Sequence, residues 1–255
     1  MENYFGINYE FNYDAVFQRI DDQLKSQCPG YICVTDGVIL NTVHRSAAYR
    51  RVVQDSMFCV CDSSYVPLYI KWIYKKQRPQ LSGTELTKLI VESRRYRMAF
   101  IGGNREILEV LKPRLATMNP EVADMLFMEL PFCHVADFDY ESIGEKLNAY
   151  KPDIIFISLG APKQEIFMNY LQPHLRQGVQ IAVGAAFKFH AGIKEKRAPS
   201  WMLRNHLEWL FRLWQDPKKQ LPRIFWIVRS TPGILFHEWN AVRHDRNALS
   251  RRNKK

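Results

Sequence analysis

The segment Asp153-Ile-Ile-Phe-Ile-Ser-Leu-Gly-Ala-Pro-Lys-Gln-Glu165 changes character halfway along. Its first half is an unbroken apolar run, as expected of a strand covered on both faces. Gly160 and Pro162 interrupt the run, and Lys163 opens an amphipathic helical pattern that extends to residue 175. A strand that passes through a glycine turn into a helix sets backbone N–H groups and a positive helix end at the carboxyl edge of a sheet. Phosphate binds readily there. A single such unit is also an ordinary strand–turn–helix, so its meaning depends on what surrounds it.

Outward from this segment the pattern repeats. Apolar runs at 31–35, 57–61, 97–102, 125–130, 153–159 and 179–184 read as strands. Amphipathic stretches at 41–54, 84–95, 104–116 and 163–175 read as helices. Such alternation predicts an α/β fold, a mostly parallel Rossmann-like sheet flanked by helices, with a basic helical C-terminal appendage. A shift in charge and the Ala198-Pro199 step place the boundary near Trp201, giving residues 1–200 and 201–255. In an open parallel sheet functional groups collect outside the carboxyl ends of the strands. Thr35-Asp36-Gly37, Asp62-Ser63-Ser64, Gly102-Gly103-Asn104 and the segments 160–164 and 184–188 should therefore converge on one edge.

Composition narrows the function. Hydrophobic content of 47% over 255 residues is enough for a full core and excludes wholesale disorder. The five cysteines form no C-x-x-C pair and several sit in strand-like runs, so they read as reduced core thiols in a reducing compartment. The start, Met1-Glu-Asn-Tyr-Phe5, has no basic segment leading into a long apolar one, and no apolar run approaches the ~20 residues of a bilayer span. A cytoplasmic protein, peripheral on the inner face of the cell membrane, is expected. From Trp201 onward there are twelve Lys or Arg against four acids, which is +8 of the chain's +10, and five of its six tryptophans. Cations interleaved with Trp suit an anionic membrane surface. The same mixture would also suit single-stranded nucleic acid, or a helical tail packed on its own body.

Several chemistries drop out. Gly102-Gly103 is not a G-x-G-x-x-G fingerprint, and no G-x-x-x-x-G-K-[ST] loop is present, which argues against a nicotinamide dehydrogenase and a P-loop enzyme. Asp137-Phe-Asp139 imitates a metal-binding D-x-D, but it precedes a helical stretch at 140–150, where Asp is favoured as a cap. No metal and no cofactor are therefore assigned. Asp62 ends a strand where its carboxylate can reach a crevice. It reads equally as a general base for an attacking hydroxyl or as a helix cap. Lys163, Gln164, Arg197 and Arg212 could supply donors or charge for a departing diphosphate.

Together with Lys196-Arg-Ala-Pro-Ser-Trp201 and Leu207-Glu-Trp-Leu-Phe-Arg212, the 160–165 loop resembles the WecG/TagA/CpsF family of bacterial glycosyltransferases. The resemblance runs from about residue 31 to about residue 223. His44-Arg-Ser-Ala-Ala-Tyr-Arg-Arg51, Phe58-Cys-Val-Cys-Asp62 and Ser82-Gly-Thr-Glu-Leu86 also carry it. It implies inverting transfer of a sugar (an N-acetylhexosamine, uronic acid or hexose) from a UDP-sugar donor to a polyprenyl-diphosphate-linked acceptor, without an obligatory metal. The product would feed exopolysaccharide or cell-wall polymer assembly.

The resemblance puts Asp62 on the catalytic carboxylate and Gln164 on a polar site residue, both counted as catalytic. Gly160, Lys163, Gly102, Gly103 and Gly184 would bind substrate, and Val34, Thr35, Asp36 and Lys188 would tune its recognition. Arg197 and Arg212 would close over the leaving group. Three departures stand out. Val34 and Asp36 replace the family's Thr and Asn, Lys188 replaces an acid, and Ser63 replaces a glycine after the catalytic Asp. No nucleic acid is expected as partner, and a homo-oligomer is left open. The competing class is a non-catalytic nucleic-acid or anionic-lipid binding module on a degenerate transferase fold.

Overall fold

The computed structural model describes residues 1–193, 199, 201–202 and 207–252. Eight strands form one sheet: β1 (Glu2–Tyr4), β2 (Ile7–Glu10), β3 (Gly30–Thr35), β4 (Phe58–Cys61), β5 (Met98–Gly102), β6 (Leu126–Met128), β7 (Ile154–Ser158) and β8 (Val179–Ala182). Their order is β1-β2-β4-β3-β8-β7-β5-β6, and every pairing except β1 with β2 is parallel. The α/β expectation is met. Successive residues of each central strand enter opposite cores. Tyr31 and Cys33 of β3 pack in one and Ile32 and Val34 in the other, and the same alternation separates Ile155 and Ile157 of β7 from Ile154 and Phe156. A sheet buried on both faces explains the continuous apolar runs in the sequence.

The helices of the body are α1 (Tyr13–Lys25), α2 (Gly37–Arg45), α3 (Ala47–Gln54), α4 (Val66–Tyr74), α5 (Gly83–Ser93), α6 (Arg105–Ala116), α7 (Tyr140–Tyr150), α8 (Lys163–Leu171) and α9 (Ala186–Ala191). The single helix expected over 41–54 is two. Ser46 takes an extended conformation and its Oγ accepts from the Tyr49 N–H at 3.2 Å, so it ends one helix and caps the next. The N-terminal hairpin, α1 and α4 were not foreseen. The hairpin turns at Phe5 and Gly6, both with positive φ, which matches the right-handed twist of its strands.

Chain connections diverge at the middle of the sheet. The chain leaves β3 toward β4 on one side and leaves β5 toward β6 on the other, with β8 and β7 between them. That arrangement opens a crevice over the carboxyl ends of the central strands.

Among the described residues, α10 (Glu208–Gln215) and the long α11 (Pro217–Arg252) follow the body. The latter lies against α2 and α4. Ile234 enters the core, the Glu238 carboxylate accepts from the Phe5 N–H at 2.8 Å and from the Tyr74 hydroxyl, and Arg45 stacks over the Trp226 ring at 4.4 Å. No described helix is long and apolar enough to cross a membrane.

Candidate active site

A cleft of about 450 Å3 sits at this crevice, a size usual for small-molecule sites. The loops after β3, β4, β5, β7 and β8 all reach it, through Asp36, Asp62, Gly103, Gly160 and Gly184. The predicted convergence of scattered polar residues on one edge is therefore present.

Asp62 lies just past β4, where its backbone N–H donates to the Thr35 carbonyl at 2.9 Å. Its Oδ1 accepts from the Gly83 N–H, the first of α5, at 2.9 Å. One carboxylate oxygen is thus fixed by a helix N-terminus while the residue lines the cleft. This geometry requires α5 to press close to β3, and a Cβ at Gly83 would lie 2.9 Å from Val34 Cγ1. The small residue at 83 and the apolar one at 34 make a matched contact.

The 160–165 loop forms the cleft floor. Gly160 has φ of 79° and donates its N–H to Gln164 Oε1 at 3.1 Å, so this N–H of the turn is spent inside the protein. Gln164 is nearly buried and donates through Nε2 to Glu165 Oε1 at 2.9 Å. Glu165 is wholly buried, and its Oε2 accepts from the Tyr49 hydroxyl at 2.9 Å. Burial pushes the Glu165 carboxyl up to about 7, against the hydrogen bonds from Gln164 and Tyr49 that favour the charged form. Gly102, with φ of 98°, lets β5 and β7 close together, because a Cβ there would meet the Ser158 carbonyl oxygen at 2.6 Å.

The structure sorts the other expected site residues. Val34, Asp36, Gly103, Gly184 and Lys188 line the cleft together with Asp62, Gly160 and Gln164. Asp36 also caps α2, its Oδ1 accepting from the Val38 and Ile39 N–H groups at 2.9 and 3.0 Å. Thr35 is buried and donates its hydroxyl to the Val60 carbonyl at 3.0 Å, which turns it into the sheet rather than toward substrate. Gly102 lies beneath the lining. Lys163 is corrected too. Its ammonium donates to the Cys133 carbonyl and lies 4.7 Å from the centre of the Phe138 ring, away from the cleft. Asp139 is a cap, accepting from the Ser142 N–H of α7 at 3.0 Å. Arg197 falls outside the described residues, and so does the side chain of Arg212 on α10.

Two contributions escaped the sequence reading. Gln220 and Arg223 of α11 line the cleft, so the C-terminal helix brings a cation to it. Glu165 and Tyr49 form the support beneath Gln164. An acid on the buried stripe shared with Met168 and Leu171 of α8 was the available signal for Glu165. No local pattern marks Arg223.

Relatives align with the sequence over about three quarters of its length. A protein named N-acetylglucosaminyldiphosphoundecaprenol N-acetyl-beta-D-mannosaminyltransferase from Bacillus spizizenii is 27% identical over 199 residues, covering 74% of this chain and 72% of its own. Its namesake in Bacillus subtilis is 26% identical over 197 residues, covering 73% and 75%, and that of Staphylococcus aureus is 24% identical over 198 residues, covering 74% and 73%. The model of the glycosyl transferase WecG/TagA/CpsF family matches residues 3–246, nearly the whole chain, and with that match the protein belongs to this family of glycosyltransferases.

Proposed function

We propose that the protein transfers a sugar from a UDP-sugar to a saccharide carried on a polyprenyl diphosphate, with inversion, during exopolysaccharide or cell-wall polymer assembly. The observation that carries this reading is Asp62, a carboxylate held at the cleft by the N-terminus of α5. Asp62 takes the proton of the acceptor hydroxyl as that oxygen attacks the anomeric carbon. The bond from that carbon to the diphosphate oxygen breaks, its electron pair leaves with UDP, and the configuration inverts. Lys188 and Arg223 offset the charge that develops on the diphosphate.

The acceptor is an amphiphile, and α11 suits one. Arg223 faces the cleft, while Ile227, Val228 and Phe236 on the same helix form an apolar groove with Tyr69 and Trp72 of α4. Trp72, Phe236 and Val228 are exposed, as expected of a surface that meets lipid. We assign residues 201–255 to this role of cleft closure and membrane association, on the cytoplasmic face of the membrane.

The test is acceptor-dependent UDP release from a panel of UDP-sugars, with polyprenyl-diphosphate-linked saccharides in detergent. The relatives' names make an N-acetylmannosaminyl donor and an N-acetylglucosaminyl-diphosphoundecaprenol acceptor the first pair. Lys188, Asp36 and Val34 make hexose and uronic-acid donors the next. Asp62→Asn keeps an oxygen for the Gly83 N–H, so it should fold normally and turn over about 100-fold more slowly. Absence of turnover with every donor, together with absence of UDP binding, would sink the proposal.

A further inference from the structure

Beneath the cleft lies a chain of buried polar contacts that the transfer chemistry above does not use. Tyr49 of α3 donates to Glu165 Oε2, Glu165 Oε1 accepts from Gln164 Nε2, and Gln164 Oε1 accepts from the Gly160 N–H. We propose that Glu165 and Tyr49 are a positioning pair for Gln164, locking its carboxamide in one of its two orientations toward the sugar donor. The inference rests on the reading of the cleft as the transfer site and adds two residues to it.

A glutamine amide turned by 180° exchanges its donor and acceptor ends at almost no steric cost. Left alone, Gln164 would present either end to a bound donor. Once ionised, above about pH 7, the Glu165 carboxylate accepts and does not donate, so the N–H2 end must lie on the Glu165 side there. The Gly160 N–H, which only donates, holds the oxygen end on the opposite side at 3.1 Å. Tyr49 fixes the carboxylate in turn. These contacts take up one N–H and one lone pair of the amide, and Gln164 lines the cleft with the remainder.

Gly184 lines the cleft beside the amide, and a Cβ at that position would stand in van der Waals contact with it, 3.6 Å from Oε1 and 3.8 Å from Nε2. A packing role does not explain the arrangement. Glu165 is 0% exposed and, among the described residues, bridges to no Lys, Arg or His side chain. An apolar side chain of the same volume would fill the space at least as favourably. What an apolar residue cannot do is accept the Gln164 N–H.

The test compares Glu165→Gln, Glu165→Met, Tyr49→Phe and Gln164→Ala. It reads kcat and donor KM in the UDP-release assay, and the 15N–1H resonances of the Gln164 carboxamide, identified by their loss in Gln164→Ala. Glu165→Gln can still turn an oxygen toward Gln164, while the Tyr49 hydroxyl rotates to accept its N–H. It should stay within about threefold of the parent, with the carboxamide signals in place. Glu165→Met has the volume and no acceptor. It should lose kcat by tenfold or more, with the carboxamide signals moved toward those of a free amide. Tyr49→Phe removes one hydroxyl from the pair and should lose kcat by about threefold, which keeps the test available if the methionine variant does not fold.

A methionine variant with parental rate and unmoved signals would overturn the proposal. A fall in Glu165→Gln as deep as in Glu165→Met would overturn it too, in favour of a proton-transfer role for the carboxylate. If Gln164→Ala itself keeps full turnover, the assignment of Gln164 to the transfer site fails, and the resonances still decide whether Glu165 orients the amide.

Discussion

Replacing Glu165 with glutamine should make the protein progressively more stable than the parent as the pH rises. The Glu165 carboxyl is raised by burial from an ordinary 4.5 to about 7 in the fold. Between those values the folded chain holds a proton that the unfolded chain has released. Unfolding therefore becomes easier as the pH climbs through this window. The favourable contribution is complete below about 4.5 and gone above about 7. At about 1.4 kcal/mol for each pH unit, the gap amounts to about 3 kcal/mol. No discount for solvent applies, because the group is wholly buried. Glutamine has no proton to lose, so the stability difference between variant and parent should grow by about 3 kcal/mol between pH 4.5 and pH 8. Urea unfolding of both proteins at half-unit steps would show it, with every other titrating group cancelling in the difference. A difference that stays flat across the window would mean that Glu165 ionises as easily in the fold as in the unfolded chain, and the description of its surroundings would be wrong.

Three further outcomes are expected. Gly102→Ala combines a φ of 98° with a Cβ placed 2.6 Å from the Ser158 carbonyl oxygen, so it should cost about 2–4 kcal/mol in urea unfolding, because backbone cannot move aside as a side chain can. Lys163→Ala should alter donor KM less than twofold, since its ammonium is bound to the Cys133 carbonyl rather than to the cleft, and a tenfold rise would restore the sequence-based assignment. Trp72→Ser with Phe236→Ser should lower binding to anionic vesicles at least fivefold in a sedimentation assay while leaving UDP affinity unchanged.

The part of the site legible in the sequence was the part made by strand ends. The runs that end at Thr35, Cys61, Gly102, Ser158 and Ala182 announce buried parallel strands, and parallel strands align their carboxyl ends by geometry alone. Direction of side chains was less legible. Lys163 and Gln164 are neighbours on the same helix turn, and one faces Phe138 while the other faces the cleft. A helix turns about 100° per residue, so a shared motif does not mean a shared destination. Thr35 follows the strand's alternation to the face opposite Val34, where its hydroxyl donates to the Val60 carbonyl, and Val34 lines the cleft. The hairpin strands are only three and four residues long, and helix α4 has one charged residue, Lys71, to betray a period, so neither stood out. Arg223 belongs to a different category. Its place at the cleft comes from the docking of α11 on α2 and α4, which no local pattern encodes.

That docking has an evolutionary corollary. The cleft floor is assembled from loops rooted in strands whose both faces are buried, and a change there disturbs two cores at once. The wall supplied by Gln220 and Arg223 hangs on a helix with much of its surface in solvent, secured past the wall by Trp226 under Arg45, by Ile234 in the core and by Glu238. Mutations on that wall carry little penalty for folding. A lineage can thus revise what the cleft admits past that wall while inheriting its reaction chemistry unchanged.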